Sequence, residues 1–434
     1  MKAYAVVGTG GRSGMYVNAL ATEFASDCEL VALCDRNIGR ARLAQEQVKK
    51  ESGREVPVYT DAEFDRMLAE QRPKRIVVTT GPDRTHAEYI IRAMRAGCDV
   101  VTEKPMTTSA ELCREILTAR EETGRELQVT FNYRYSPPRS QVRRMIGEGA
   151  IGDVLSVDFS WHLDTRHGAD YFRRWHRRRE DSGSLLVHKA THHFDLVNWW
   201  IDDAPEEVFA HGSRRYYTPS HADELGLRGR GERCHGCPVA SRCPFFLDLA
   251  ANDKLKEMYL DQEAHDGYFR DRCVFSDEID IWDTMSVSVR YRGGAILSYM
   301  LHAYSPVEGY RIAFNGTTGR IEHAASENTY INGDGTVPGE LERGKITTTL
   351  IPEFSRPQAI EPEMGSGGHG GGDPMLLRDI FAPTGEPDPL GRRANQVDGS
   401  YSILVGVAAA QSIDRGEPVK IPELLGDAPL GERW

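Results

Sequence analysis

No apolar run in these 434 residues approaches the roughly 20 residues that a membrane-spanning helix needs. The opening MKAYAVVGTGG has a charge and a short apolar run but no small-residue cleavage site, so it reads as a buried first strand rather than a signal peptide. Cysteine is scarce, eight in all, which is too few for a disulfide framework. Cys28, Cys34, Cys98 and Cys113 sit singly in apolar or helical patterns and read as small buried hydrophobes. Positive charge is in deficit: 53 Lys and Arg stand against 65 Asp and Glu, a net charge of -12. That argues against a nucleic-acid partner, which needs a surplus of cations. No internal repeat of solenoid period is present. What is left is a cytoplasmic globular enzyme, long enough for two domains with sizeable cores.

The first half alternates strand and helix. AYAVV at 3–7 is a short buried strand, GTGGRSGM follows, then a helix through Tyr16, Leu20 and Phe24, then the strand ELVALCD at 29–35. Strand, glycine turn, helix, strand and acid form the context of a dinucleotide-binding fingerprint. Gly8 permits the tight turn, and Gly10 lets backbone approach a pyrophosphate at the helix N-terminus. A strict GxGxxG is absent, because Ser13 holds the third-glycine position and Gly14 comes one residue later. Asp35 is placed to accept from the ribose hydroxyls of NAD, while Arg36 beside it leaves NADP open. Further strands are expected at 58–61, 75–80, 98–105 and 127–135. Pro82 and Asp83 fall just past a strand's carboxyl end, where such sheets bind ligands. So does Glu103-Lys104-Pro105, whose lysine can polarise a substrate oxygen. The expected cofactor contacts are Gly8, Gly10, Gly11, Arg12, Ser13, Asp35, Arg36, Thr80, Pro82, His86, Glu103 and Lys104.

The second half changes character. Strands expected at 152–163, 206–217, 282–292, 294–303, 307–315 and 318–323 alternate apolar and polar residues, as in an antiparallel sheet with one buried face. The Gly- and Pro-rich stretch 326–394 has little periodicity outside 341–351 and reads as loops and short elements, with SGGHGGGDPMLLRDIF at 366–381 as a turn and helix. RRWHRRR reads as a solvated, salt-bridged loop, although Tyr171, Arg174 and Trp175 can wall a sugar site. Within GSLLVHKATHHFDLVNWW at 183–200, a helix from about 189 to 201 would place His188, His192 and Asp195 on one face. His192 is then a general base that an acid orients. RCHGCPVASRCPF spaces Cys234, Cys237 and Cys243 as CxxC then CxxxxxC, with Cys273 further on. These four predict a structural zinc clip, with His235 as an alternative ligand. Free thiols, a disulfide or an iron–sulfur cluster are the other readings, although the spacing differs from the bacterial ferredoxin run.

The chain resembles the Gfo/Idh/MocA oxidoreductases. The resemblance rests on the first strand and glycine turn, TEKP at 102–105, FNYRYSP at 131–137 and GxxxxHxxxHxxD at 183–195. It implies a Rossmann domain with a mostly parallel sheet over 1–130. An α+β domain with a large open, predominantly antiparallel sheet follows over 131–397, with the cysteine insertion near 218–275. A C-terminal helix and tail at 398–434 pack back. It also implies Lys104 and His192 as the catalytic lysine and histidine, with His188 standing where relatives carry aspartate. Hydride would pass between a sugar or polyol CH–OH carbon and nicotinamide. A redox-neutral glycosidase, lyase or epimerase using held NAD, and a noncatalytic sugar or cofactor sensor, are the alternatives. Substrate would touch Lys104, Tyr133, Arg134, Trp161, His167, Tyr171, Trp175, His188, Lys189 and His192. A homodimer or homotetramer would form through the second sheet, with neither nucleic acid nor membrane as partner.

Overall fold

The computed structural model describes residues 1–327, 341–382 and 387–431, with backbone alone at 341–344. Parts of the stretch expected to be loops, 328–340 and 383–386, and the tail end 432–434 lie outside these described residues.

Two sheets organise the chain. The first runs β1 (Lys2–Val7), β2 (Cys28–Cys34), β3 (Val58–Tyr59), β4 (Arg75–Val78), β5 (Asp99–Thr102) and β6 (Leu127–Val129). All of its pairings are parallel, in the order β3-β2-β1-β4-β5-β6. Helices cover both faces, which is why Ala5, Val6, Ile76 and Val77 are fully buried and the strands read as continuous apolar runs. The carboxyl ends of β1, β4 and β5 deliver Gly8, Thr79 and Glu103 to one edge. At Gly8, φ is +88°, and a Cβ would stand 2.6 Å from Thr79 and Thr80 backbone atoms, so only glycine fits the turn.

The second sheet has nine strands: β7 (Val154–Asp164), β8 (Pro205–Ser213), β9 (Thr284–Tyr291), β10 (Ile296–Ser305), β11 (Gly309–Gly316), β12 (Gly319–Glu327), β13 (Leu341–Pro352), β14 (Gln358–Ile360) and β15 (Val419–Lys420). They lie in the order β14-β13-β12-β11-β7-β10-β9-β8-β15, antiparallel throughout except for the β7–β10 pair. Met285, Val287, Val289 and Tyr291 of β9 face the core and their neighbours face outward. The helices Thr191–Ile201 and Gln396–Arg415 pack together, the second also lying against β8. No described helix is long and apolar enough to cross a membrane.

Three sequence expectations shift. The strand expected at 127–135 ends at Val129, and Asn132–Tyr135 is a tight 3-10 turn. The strand expected at 206–217 ends at Ser213. There the Asp283 carboxylate accepts from the backbone N–H groups of Arg215, Tyr216 and Tyr217 and curls the chain off the sheet. The single helix expected from 189 is two, Leu185–His188 and Thr191–Ile201, broken at Lys189 and Ala190. The backbone there tightens, with His192 N donating to Lys189 O at 3.3 Å.

The cause of the first shift is Arg134, which has no exposed side-chain surface. A buried guanidinium must be paired. Its Nε and Nη2 donate to Asp195 at 2.8 and 2.6 Å, Nη2 also to Asp398 at 2.8 Å, and Nη1 to Gly391 O at 3.1 Å. A continued strand would not turn this side chain into the junction of two helices. Arg134→Met leaves two buried carboxylates without their cation and is expected to cost about 3–5 kcal/mol. A urea titration reads this as a lower midpoint; unchanged melting would show that the pairing does not hold the junction.

Candidate active site

One groove of about 910 Å³ runs from the first sheet's carboxyl edge to the helices above the second. At one end lie Gly8, Gly10, Gly11 and Arg12, then Asp35 and Arg36; Thr80, Pro82, His86, Glu103 and Lys104 continue the floor. Nothing stands within 4 Å of a Cβ placed on Gly10, so backbone there is open to a close-lying ligand. Asp35 Oδ2 accepts from Thr9 N at 2.6 Å and Thr9 Oγ1 at 2.9 Å, and Oδ1 from Asn37 N at 2.7 Å, which fixes the carboxylate at the groove wall. Arg12 is clamped: its Nε donates to Glu103 at 2.7 Å and its terminal nitrogens to Asp373 at 3.2 and 3.3 Å. Glu103 also accepts from Tyr16 OH at 2.7 Å. These partners hold the Glu103 carboxyl below its ordinary range against the opposing pull of burial. His86 braces two loops, with Nδ1 2.8 Å from Pro105 O and Nε2 2.9 Å from Thr80 O.

At the other end the chemistry concentrates. Lys104 Nζ donates to His188 O at 3.1 Å. His188 Nδ1 lies 2.5 Å from Asp83 Oδ2, so a carboxylate of the first domain holds an imidazole of the second. Lys189 Nζ donates to Tyr133 OH at 3.2 Å and sits 5.0 Å from the Trp161 ring centre. Tyr133 stacks on His192 with centroids 4.1 Å apart. The His192 Nδ1 is buried and has no hydrogen-bond partner. Tyr171 OH meets His167 Nε2 at 2.9 Å, and His167 Nδ1 meets Glu308 at 3.1 Å. Trp175 stacks on His176, which packs edge-on against His188.

Burial, reinforced by the cations Lys104 and Lys189, pushes His188 and His192 well below the ordinary histidine value. Both imidazoles are therefore neutral proton acceptors near neutral pH. Burial also lowers Lys104, to about 8, outweighing the attraction of Asp83 and Glu103. Asp83 moves upward, because burial disfavours its charge more than Lys104 and Arg174 favour it.

The groove collects most of the expected residues: Gly8, Gly10, Gly11, Arg12, Asp35, Arg36, Thr80, Pro82, His86, Glu103, Lys104, Tyr133, His167, Tyr171, Trp175, His188, Lys189 and His192 all line it. Three expected contacts are corrected. Ser13 is buried and spends its hydroxyl on Gly10 O at 2.7 Å, holding the turn rather than facing the groove. Arg134 is consumed by Asp195 and Asp398. Trp161 is fully buried and stacks behind Tyr133. Asp195, expected beside His192, belongs to Arg134 for the same reason. The RRWHRRR run is salt-bridged through Arg174, Arg177 and Arg179, with Arg178 exposed, but it is not a wholly solvated face, since Arg173, His176 and Arg177 are buried. Sequence reasoning did not reach the partner role of Asp83, or Asp373 with His369, whose Nδ1 lies 2.8 Å from it. The acidic residue after the β4 strand and the GHGGGD run were the available signals.

Among the described residues, one group of three metal-type side chains has ligand atoms mutually within 4.8 Å: Asp164, His167 and Glu308. Hydrogen bonds already engage Glu308, which accepts from Asp164 N at 2.6 Å and meets His167.

A glycine turn, an acid fixed at the groove wall and a lysine–histidine cluster at one groove fit a dinucleotide-binding oxidoreductase. The chain belongs to the Gfo/Idh/MocA oxidoreductase family. Residues 2–131 match its NAD-binding Rossmann fold and residues 143–421 its C-terminal alpha/beta domain. It is 38% identical over 421 residues to YteT of Bacillus subtilis (strain 168), a protein named as an oxidoreductase, covering 95% of each chain. It is 31% identical over 216 residues to an inositol 2-dehydrogenase of Rubrobacter xylanophilus (strain DSM 9941 / JCM 11954 / NBRC 16129 / PRD-1), covering 48% of this chain and 55% of that protein. In fold it is similar to the aldose-aldose oxidoreductase from Caulobacter crescentus complexed with glycerol. That likeness has a TM-score of 0.61 at 17% identity, over 96% of this chain and 99% of the other.

The depressed lysine is directly measurable. In an NMR titration, the Lys104 ammonium, identified by loss of its signal in Lys104→Met, is expected to deprotonate near pH 8. It is charged below that midpoint and neutral above it. A midpoint at the ordinary lysine value of 10.5 would show that the site is better hydrated than its burial implies.

Proposed function

We propose that this protein binds NAD in the groove and oxidises a CH–OH carbon of a sugar, sugar derivative or polyol, with the reverse reaction open to it. The observation that carries this is the meeting of Lys104, His188 and His192 at the groove end opposite the glycine turn and Asp35. NAD, when bound, supplies the hydride acceptor; every proton is handled by the chain. His192, neutral through burial, takes the hydroxyl proton. The Lys104 ammonium stabilises the negative charge that develops on that oxygen. Asp83 orients His188, which positions Lys104 through its carbonyl oxygen. Tyr171 and Trp175 offer aromatic faces to C–H surface, and His167 and Lys189 offer polar contacts to hydroxyls, as a polyhydroxylated substrate requires. The inositol dehydrogenase relative points to the same substrate class.

The fixed Asp35 carboxylate favours a ribose diol over a 2'-phosphate, so NAD rather than NADP is the cofactor. The outward face of the second sheet exposes Ile296 and Met300 of β10, which supports a homodimer or homotetramer through that face. The eight free cysteines are in keeping with a cytoplasmic location.

One observation favours the redox-neutral alternative, in which the carbon is oxidised and reduced again on held NAD. Residues of the segment between β8 and β9 cover the dinucleotide end: Arg40 is gripped by Asp266 and lies 3.7 Å from Asp35, and Asn37 Nδ2 donates to Gln262 O at 2.9 Å. Absorbance at 340 nm with NAD and a sugar, polyol and glycoside panel, followed by product chromatography, separates the two. Steady NADH formation identifies the dehydrogenase; product without NADH identifies redox-neutral chemistry. Neither signal with NAD or NADP would remove the enzyme reading and leave a sensor. In the active assay, Lys104→Met and His192→Ala are each expected to lower kcat about 10²–10⁴-fold. The rate is expected to fall above about pH 8 in wild type as Lys104 loses its proton. Asp35→Ala is expected to narrow the preference for NAD over NADP.

A further inference from the structure

Between β8 and β9 the chain inserts short helices and turns, and in them four cysteines surround one small apolar cavity: Cys234, Cys237, Cys243 and Cys273. All four are free of disulfides. Local turns place the first three, with Cys237 N donating to Cys234 O at 3.0 Å and Cys243 N to Ala240 O at 3.2 Å. A bridge between Arg233 and Arg272 delivers the fourth: Cys234 N donates to Asp271 O and Cys273 N to Glu232 O, both at 2.8 Å.

Donors converge on the sulfurs. Gly231 N lies 3.3 Å from Cys237 Sγ, Leu247 N 3.4 Å from Cys234 Sγ, and Arg173 Nη1 3.7 Å from Cys234 Sγ. A neutral thiol is a weak acceptor, so donors aimed at Cys234 and Cys237 suit thiolates, and four thiolates around one cavity need a metal. The ligand set excludes hard cations, which take oxygen. A single zinc ion, with Zn–S near 2.3 Å, would draw its sulfurs to about 3.8 Å of one another. Among the described residues, no three of these sulfurs lie mutually within 4.8 Å. A void lined by four cysteines at this wider spacing suits a cluster of several metal atoms.

We propose that Cys234, Cys237, Cys243 and Cys273 hold an iron–sulfur cluster that braces the roof of the dinucleotide groove. The first part rests on the cavity alone; the roof rests also on the groove taking NAD. Immediately before Cys273, the same insertion supplies Tyr259, Asp266 and Tyr268 to the groove wall. Arg233, next to Cys234, pairs with Asp271 at 2.7 Å and with Glu263, so the cysteine cradle and the roof are one connected unit. On the other side, Arg173 joins Cys234 to the helix Thr165–Arg173, which carries His167 and Tyr171. The cluster is structural, and no electron transfer is assigned to it.

The test is metal analysis of the full chain purified without air or chelator. Iron and acid-labile sulfide in equal amounts, with a broad visible absorbance, are expected in wild type and lost in Cys237→Ser and Cys273→Ser. One zinc per chain and no sulfide would keep the thiolate metal site and overturn the cluster. A stably folded, metal-free wild type would overturn the whole proposal. The roof is read by NAD titration calorimetry: the cysteine variants are expected to bind about tenfold or more weakly through lost pre-organisation. Asp266→Ala, which releases Arg40 without touching a sulfur, is expected to weaken NAD with the metal retained. Metal loss with unchanged NAD affinity would overturn the roof. Failure of wild type to bind NAD would overturn the groove reading instead, with the metal content still standing.

Discussion

The buried Arg134 guanidinium fixes the geometry of the site. It cannot be left uncompensated away from water, so it gathers Asp195 from one helix, Asp398 from another and the Gly391 carbonyl around a single point. The turn that aims Arg134 inward also aims Tyr133 at the groove, since the two are neighbours in a 3-10 turn. Tyr133 then serves as a flat support for His192 and an acceptor for Lys189. Behind it Trp161, Tyr310 and the buried Arg139 continue the stack, with Arg139 4.2 Å from the Tyr133 ring centre. The reactive side chains thus rest on packed aromatic rings and paired charges, which hold them in place before any ligand arrives.

Charge in the site is balanced unevenly, and the imbalance is useful. Lys104, Lys189 and Arg174 bring positive charge to a dry pocket, answered by Glu103 and Asp170, while burial disfavours the charge of Asp83. The imidazoles of His176, His188 and His192 are held neutral near pH 7 by burial and by these cations. The result is a neutral base beside an ammonium. Such a pair can remove a proton from a neutral hydroxyl and steady the oxygen left behind, whereas a site of charged imidazoles would have no proton acceptor to offer.

Much of this was legible in the residues because it is local. Buried strands, a glycine turn and an acid at the next strand's end follow one another within 35 positions, and each leaves a mark on its own neighbourhood. Lys104 and His192 were legible through motif order. Side-chain direction was not. Arg134 and Trp161 lie beside true groove residues and point away from the groove, and spacing alone does not reveal which side of a turn is buried. Long-range partners were also hidden: Asp83 meets His188 across 105 positions and Arg12 meets Asp373 across 361. His188 takes its carboxyl partner from Asp83 of the first domain, a pairing that no local spacing discloses.

The same logic extends to the cofactor end. A dehydrogenase that consumes free NAD must open its groove on every turnover, and release then competes with chemistry as the slow step. Here the groove is closed by chain segments distant in sequence: Asp373 clamps Arg12 on one side, and the insertion grips Arg40 and Asn37 on the other. Opening it breaks partly buried ion pairs as well as loop contacts. Such a closure hinders exchange of the dinucleotide. Of the two proposed readings, it suits the redox-neutral one, in which the hydride returns to the carbon it came from before the nucleotide leaves. The insertion, which contributes no strand to either sheet, is then the part of the chain that bears most directly on the net reaction.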